Sequence, residues 1–173
     1  MGCGILRDFM EIFDGKKRKA NVKVEFFRKE QAILGKNNEI VDFIGKPLKI
    51  EEGHNINTNA GLNYAAQAMA VAVTPFSYIG VGSGSNAEDP SDTELQTEIE
   101  RVGILSYDFP STGVVRFRAI FEANQGNGSV REFGLFNALV AGTMGVRYVL
   151  GASYTKDTTL SIRVTWTITT TDT

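Results

Sequence analysis

The sequence contains few residues that could perform nucleophilic or metal chemistry. It has one cysteine, Cys3, and one histidine, His54. A Ser-His-Asp triad depends on a placed histidine, and most zinc sites need several histidine or cysteine ligands. The composition therefore argues against a histidine-based triad, a multi-histidine metal site and a disulfide within the chain. Carboxylates, lysines and tyrosines are the remaining candidates for catalysis.

Two glutamates could form the carboxylate pair of a glycosidase, which needs two acids at a fixed separation. Residues 114–138 are predicted to form a β-hairpin, and its two arms would bring Glu122 and Glu132 together. The same arms carry three arginines, Arg116, Arg118 and Arg131. Because ion pairs between neighbouring strands are a much commoner use of such charges, we predict ion pairing here and no enzymatic activity or cofactor.

Two polar loops are candidates for ligand sites. Residues 82–85 (GSGS) follow a predicted strand but lack the glycine and lysine spacing of a phosphate-binding loop. Residues 86–92 (NAEDPSD) hold three carboxylates, which could serve calcium, but the order of an EF-hand is absent. We interpret the first as a surface loop and the second as a turn. Residues 91–94 (SDTE) fit a capping box and predict a short helix through Ile99.

Alternation of polar and apolar residues predicts that most of the chain forms strands. The first arm of the hairpin alternates along residues 114–122, and a turn rich in Gly and Asn follows it. The second arm, residues 130–137, has apolar side chains on both faces, so we expect both to be covered. The strand at 160–169 places Trp166 on a uniformly apolar face, which we expect to be buried. These patterns predict a mainly β fold, an antiparallel β-sandwich.

One main α-helix is predicted at residues 58–72, with Asn57 or Thr58 as its N-cap. Its apolar side includes Leu62 and Met69, and we expect that side to pack in the core. The chain has 173 residues, 42% of them hydrophobic, which suits one domain plus an arm.

We place an extended N-terminal docking arm at residues 1–49 and the sandwich domain at residues 50–173. The arm combines a short amphipathic helix at residues 1–14 with predicted strands. Its large apolar side chains are expected to dock onto a neighbouring subunit. They are Ile5, Phe9, Phe13, Phe26 and Phe27.

Charge argues against a nucleic-acid partner, because the net charge is −2 at pH 7. A basic run at residues 16–19 follows the amphipathic helix and could support a membrane-surface anchor instead. The chain begins Met-Gly-Cys, but Leu6 stands where an acylation motif needs Ser or Thr. No apolar run approaches the roughly 18 residues of a transmembrane helix, so we do not expect a membrane partner.

From residue 78 onward the chain resembles bacteriophage virion proteins of the tail-collar fibre family, in the N-terminal module of those fibres. The most specific match is residues 128–138 (GSVREFGLFNA). Further matches are residues 78–84 (YIGVGSG), residues 91–95 (SDTEL), residues 142–144 and the strand at 160–168. The residues taken as the structural motif are Gly128, Arg131, Glu132, Gly134, Phe136 and Trp166.

The resemblance implies a non-enzymatic virion structural protein, made in the bacterial host cytoplasm and assembled into the virion. Its expected partners are other copies of itself and other virion proteins. A fibre would continue into a shaft and tip, whereas this chain stops at Thr173 and carries an arm, so we expect a tail, neck, baseplate or fibre-attachment adaptor. A capsid (head) decoration protein of the same fold is the alternative. A carbohydrate-binding module is more remote, because its platform would need exposed aromatic rings and Trp166 is expected to be buried.

Overall fold

The computed structural model describes residues 18–170 of the chain. The strands, in chain order, are β1 Arg18–Arg28, β2 Ala32–Leu34, β3 Ile40–Phe43, β4 Lys49–His54, β5 Ile56–Asn57, β6 Tyr78–Gly82, β7 Glu98–Gly103, β8 Ser106–Ser111, β9 Val114–Phe121, β10 Gly128–Phe136, β11 Met144–Lys156 and β12 Leu160–Thr170. Helix α1, Asn59–Gln67, lies between β5 and β6, and a 3-10 turn joins β1 to β2. The predicted mainly β fold with one main helix is confirmed.

Two antiparallel five-stranded sheets form the sandwich. The first sheet has the order β4-β1-β12-β9-β8 and the second has the order β5-β11-β10-β6-β7. Strands β2 and β3 form a separate two-stranded hairpin. The main core draws its side chains from both large sheets, which is what holds the two layers together.

The last strand follows its sequence pattern closely. Ile162, Val164 and Trp166 of β12 are fully buried between the sheets. The indole Nε1 of Trp166 donates a hydrogen bond of 2.8 Å to Asn55 Oδ1. The polar group of this tryptophan is therefore satisfied inside the core, and its predicted burial is confirmed.

The predicted hairpin at residues 114–138 is wrong. Both arms are strands, but β9 pairs with β12 and β8 in the first sheet, whereas β10 pairs with β11 and β6 in the second. Residues 122–127 cross from one sheet to the other. The apolar faces of the two arms therefore meet across the core, where the rings of Phe121 and Phe133 are 6.5 Å apart. Alternation specifies which side of a strand is buried and leaves open which strand lies beside it.

The described part of the predicted arm belongs to the sandwich. Strand β1 pairs with β12 along its whole length and with β4 on its other side, and the predicted boundary between residues 49 and 50 falls inside β4. Phe26 packs in the main core, and Phe27 stacks on Phe43 beneath the β2–β3 hairpin with ring centroids 4.3 Å apart. Both rings are buried within their own subunit, so their predicted role in docking is wrong.

The other predicted docking residues, Ile5, Phe9 and Phe13, precede the described residues. Their role therefore stays a prediction. It now concerns residues 1–14 alone, since the strand that follows them is part of the sandwich.

Helix α1 is shorter and more exposed than the sequence predicts. Thr58 is its N-cap, and its Oγ1 accepts a hydrogen bond of 2.9 Å from Gly61 N. The helix contacts β11 through Gly61, where a side chain would collide with the backbone of Gly145. This close backbone approach turns Leu62 outward, and Met69 lies exposed beyond the end of the helix, so their predicted core packing is wrong.

The strand register gives the sandwich two distinct ends. Arg18 pairs with Thr170 and Thr169 pairs with Val114, so β1 begins, β12 ends and β9 begins at one level. In the second sheet, β6 begins where β10 ends. Strand β9 runs toward the connection at residues 122–127, and β10 runs away from it. We call the end that contains this connection the crossing end, and the end where β1 begins the terminal end.

Candidate functional site

A buried ion pair joins the two central strands of the second sheet. The side chains of Glu132 on β10 and Arg147 on β11 are both completely buried. Arg147 Nε and Nη2 donate to Glu132 Oε2 at 3.0 and 2.8 Å. Glu132 also accepts backbone hydrogen bonds from Gly84, Gln96 and Thr97 at 2.9 to 3.1 Å. The carboxylate is thus surrounded by donors and holds the loop between β6 and β7 against the sheet.

Two glycines in the stretch from residue 78 to 84 make room for Glu132. A Cβ at Gly82 would lie 2.6 Å from the carbonyl oxygen of Thr97 and 2.7 Å from Glu132 Oε1. A Cβ at Gly84 would collide with the same carboxylate. The glycines that resemble a phosphate-binding loop therefore admit a carboxylate of the chain itself.

The carboxylates of the loop at residues 86–92 are engaged by protein groups. Asp92 Oδ2 accepts from Arg147 Nη1 at 2.8 Å and from Asp89 N at 2.9 Å. Glu88 Oε1 accepts from Val149 N at 2.6 Å. Among residues 18–170 no cluster of three or more acidic, histidine or cysteine side chains is arranged to hold a metal ion.

The short helix predicted through Ile99 does not form. Ser91, the N-cap of the predicted capping box, instead donates its N–H and its hydroxyl to Asp89 Oδ1 at 2.8 and 2.5 Å. The backbone N–H groups of Gln96 and Thr97 bond to Glu132 rather than within a helical turn. A distant carboxylate thus overrides the local capping signal.

Arg147 carries a permanent positive charge. Burial lowers the pKa of Arg147, but the hydrogen bonds and charges of Glu132 and Asp92 together raise it by more, so the net pKa is raised. A charged guanidinium with two carboxylate partners and no exposed surface is well suited to fixing geometry. It offers no face to a substrate, and we assign it a structural role.

A second buried cation fixes the connection between the sheets. Lys156, at the end of β11, is 1% exposed. Its ammonium donates to Glu122 O at 2.9 Å, to Ala123 O at 3.3 Å and to Asn127 Oδ1 at 2.8 Å. Burial lowers the pKa of Lys156 to about 8, against smaller opposing effects of Glu100 and Asp157. These hydrogen bonds hold residues 122–127 in place where the chain passes from the first sheet to the second.

Glu122 and Glu132, the predicted carboxylate pair, play unrelated parts. Glu132 lies on β10 of the second sheet, whereas Glu122 directly follows β9 of the first sheet. Glu132 is bound to Arg147, and Glu122 contributes its backbone carbonyl to Lys156. Of the arginines predicted to pair with them, Arg116 instead binds Asp108 at 2.5 Å. The arrangement has no pair of facing acids of the kind that a glycosidase uses.

The other motif residues also serve the packing of the second sheet. Arg131 occupies the irregularity in the register between Val130 and Glu132. Gly134 lies under the ring of Phe136, which would be 2.8 Å from an added Cβ. Gly128 has φ of +144°, a conformation that favours glycine where the crossing connection enters β10.

Arg101 connects the edge of the second sheet to the loop at residues 137–143. Its guanidinium binds Glu98 through two hydrogen bonds and donates to the carbonyl oxygens of Ala138 and Ala141 at 2.7 and 2.8 Å. Its Cζ lies 3.5 Å from the centre of the Phe136 ring. A surface groove of about 700 Å³ runs beside this loop at the terminal end.

A third polar cluster lies on the outer face of the first sheet. Glu25 of β1 binds Arg163 at 2.8 Å and Lys23 at 3.2 Å, and Arg163 also binds Asp42 of the small hairpin. Burial raises the pKa of Glu25, but Arg163 and Lys23 outweigh it, and the net pKa is lowered. The nearby His54 is exposed and lines a shallow depression with Lys23 and Arg116. These charges are already paired with one another, and they fix the hairpin to the sheet.

The terminal end differs from these clusters because it exposes large apolar side chains. They come from α1 and the segment after it, from β8, and from the loop at residues 137–143. Its exposed members are Leu62, Met69, Val71, Tyr107, Phe109, Leu139 and Val140. A second exposed apolar area occupies the β2–β3 hairpin and the start of β4, with Ile33, Leu34, Val41, Ile44, Leu48 and Ile50. These two areas are the candidates for contacts with other molecules among the described residues.

Sequence reasoning missed Arg147 and Lys156, the two cations that organise the interior. Each lies in the long strand β11, whose other residues alternate poorly. Burial of Arg147 could have been predicted from its position between Val146 and Tyr148. An arginine within an apolar run is rarely buried unless a carboxylate meets it, and Glu132 was the carboxylate in the neighbouring motif.

Comparisons with known proteins identify no relative of this chain. No family model matches the chain, and no curated protein or solved structure shows significant similarity to it. Within residues 18–170, no helix combines the length and hydropathy required to span a bilayer. Function has to be inferred from the contacts and surfaces of the sandwich itself.

Proposed function

We propose that this protein is a non-enzymatic bacteriophage virion structural protein that works through subunit–subunit contacts. Its place would be the tail, neck or baseplate, or the attachment of a fibre. It is made in the host cytoplasm and resides in the virion. The observation that carries the proposal is the set of exposed apolar side chains at the terminal end, beside an interior whose charged groups are paired.

The interior supports a structural role. Glu132, Arg147 and Lys156 are charged groups with almost no exposed surface, and each is bound by other parts of the chain. A catalytic group would instead need an open approach for a substrate. The resemblance of residues 78–84 and 128–138 to tail-collar fibre proteins points to the same class of function.

The capsid decoration protein remains the alternative location, because the same surfaces would serve either place. Quantitative peptide mass spectrometry on purified virions, divided into head and tail fractions, separates the two. We expect enrichment with tails at low copy number. Recovery with heads, at a copy number near that of the major capsid protein, would establish decoration, and absence from both fractions would contradict a virion protein of either kind.

The carbohydrate-binding hypothesis has one observation in its favour, the exposed pair Tyr107 and Phe109. Their ring planes meet at 78°, which gives an edge-to-face pair and no flat platform on which a sugar could stack. Trp166 is fully buried. We therefore expect no binding on a glycan array, and saturable binding that is lost in Tyr107→Ala would favour a carbohydrate-binding module instead.

A further inference from the structure

We propose that the terminal end receives the N-terminal segment, residues 1–14, of a second copy of this chain. The proposal rests on the proposed function, assembly through subunit contacts, and adds a receiving surface and an occupant to it. Three features carry it: an uncovered inner sheet face at β8, the apolar stripe of the segment, and the point where the segment joins the sandwich.

Strand β8 extends the inner face of the first sheet beyond its cover. Tyr107 pairs with Phe117 of β9, and residues directly opposite each other on paired strands share a face. Phe117 packs against the main core, so Tyr107 and Phe109 continue that face outward. They are 66% and 72% exposed, and their rings are 6.0 Å apart. The face that builds the core is thus left open at its edge.

The N-terminal segment is a suitable occupant for an apolar face. Ile5, Phe9 and Phe13 recur at helical spacing and predict one apolar stripe along residues 1–14. An isolated helix of about 14 residues is only marginally stable in water and gains most of its stability by packing that stripe on another surface. Both the segment and the receiving face present apolar side chains, so burial of apolar surface would hold them together.

The geometry of β1 favours the terminal end over the β2–β3 hairpin as the receiving surface. The segment joins the sandwich at Arg18, at the terminal end. The hairpin follows Arg28, about 33 Å away along a strand of 11 residues. Residues 15–17 can span only about 10 Å. Strand β8 lies three strands from β1 in the same sheet, about 14 Å across, within reach of the segment of a facing copy.

The joining point favours an occupant from another copy, since β1 begins at the same end that carries the receiving face. Because the same end supplies both the segment and the receiving face, two copies can exchange segments reciprocally. Such an arrangement is the self-complementary contact of a two-fold dimer.

Disulfide trapping with the native Cys3 tests the proposal in the full chain. In Phe109→Cys, mild oxidation should link Cys3 of one copy to the thiol at position 109 of the other. Non-reducing electrophoresis reports the dimer, and peptide mass spectrometry identifies the linked positions. Val140→Cys, on the neighbouring loop, provides a second variant should the first fold poorly.

Matched variants make the result specific. Ile44→Cys has nearly the same exposure, 67%, and lies on the β2–β3 hairpin. We expect at least tenfold more 3-to-109 dimer than 3-to-44 dimer, and no such dimer when Cys3→Ser is combined with Phe109→Cys. A disulfide within one chain, preferential linkage to position 44, or no linkage at either terminal-end position would overturn the proposal. Recovery of the protein in virions together with any of these results would leave the proposed function standing.

Discussion

The buried network around Glu132 and the terminal end use the same sandwich in opposite ways. Around Glu132, its carboxylate and the guanidinium of Arg147 are bound by partners within the chain, which fixes the loop to the sheet. At the terminal end, Phe109 and Val140 face outward with no cover from the described residues. The difference indicates that the conspicuous charged residues serve folding, whereas the inconspicuous apolar ones are available for binding.

The largest expected effect is the loss of the buried pair. Glu132→Gln keeps the shape of the side chain but removes the fully buried charge that binds Arg147 through two hydrogen bonds, and only Asp92 remains as a carboxylate partner. We expect a loss of about 3 to 5 kcal/mol in the free energy of unfolding, because removing one member of a buried ion pair leaves the charge of the other poorly compensated. Urea denaturation measures it.

The matched control is Asp108→Asn, which removes the partner of Arg116 on an exposed surface pair. Such pairs contribute little, since solvent screens them. Equal losses for the two variants would mean that the Glu132 network is no more important to the fold than a surface contact.

Lys156 should give the stability a specific pH dependence. The pKa of Lys156 is about 8 in the folded protein, compared with the ordinary value of 10.5 that we assign to the unfolded chain. Between these values the unfolded chain binds more protons, so the folded state gains stability as the pH rises. The advantage of wild type over Lys156→Met should therefore grow by up to about 3 kcal/mol from pH 8 to 10.5. Chemical denaturation of both proteins at each pH measures this difference, and a constant difference would show that burial does not perturb the lysine.

A glycine pair tests the packing around the same carboxylate. Gly82→Ala would place its Cβ against Thr97 and Glu132, and we expect a loss of about 1 to 3 kcal/mol in thermal or urea unfolding. Gly103, at the end of the adjacent strand, has no atom within 4 Å of an added Cβ. Gly103→Ala should therefore be nearly neutral. If both substitutions cost the same, the close approach of Thr97 and Glu132 is not the cause of the loss at Gly82.

The sequence predicted elements well where one local pattern decides the outcome. Trp166 and its neighbours on β12 alternate strictly, so their buried face could be identified. Thr58 could be identified as a cap because its side chain bonds to a residue three positions away. Burial of both faces of β10 was also predicted from its residues alone, and the structure confirms it.

The failures share a cause, since each was decided by a residue far away in sequence. The connection at residues 122–127 resembles a hairpin turn, but Lys156 holds it as a crossing between sheets. Phe27 was predicted to dock onto a neighbouring subunit, but Phe43 of the β2–β3 hairpin packs on its ring. Residues 91–94 had the sequence of a capping box, but the N–H groups of Gln96 and Thr97 bond to the distant carboxylate of Glu132. Local patterns carry no information about such partners.

The most direct test of assembly through the terminal end is sedimentation of the full chain over a range of concentrations. We expect wild type to self-associate. Phe109→Glu and deletion of residues 1–15 should both remain monomeric with unchanged circular dichroism, because they remove the two halves of the contact. Ile44→Glu, on the other apolar area, should associate like wild type. A monomeric wild type, or a deletion variant that still assembles, would contradict the account.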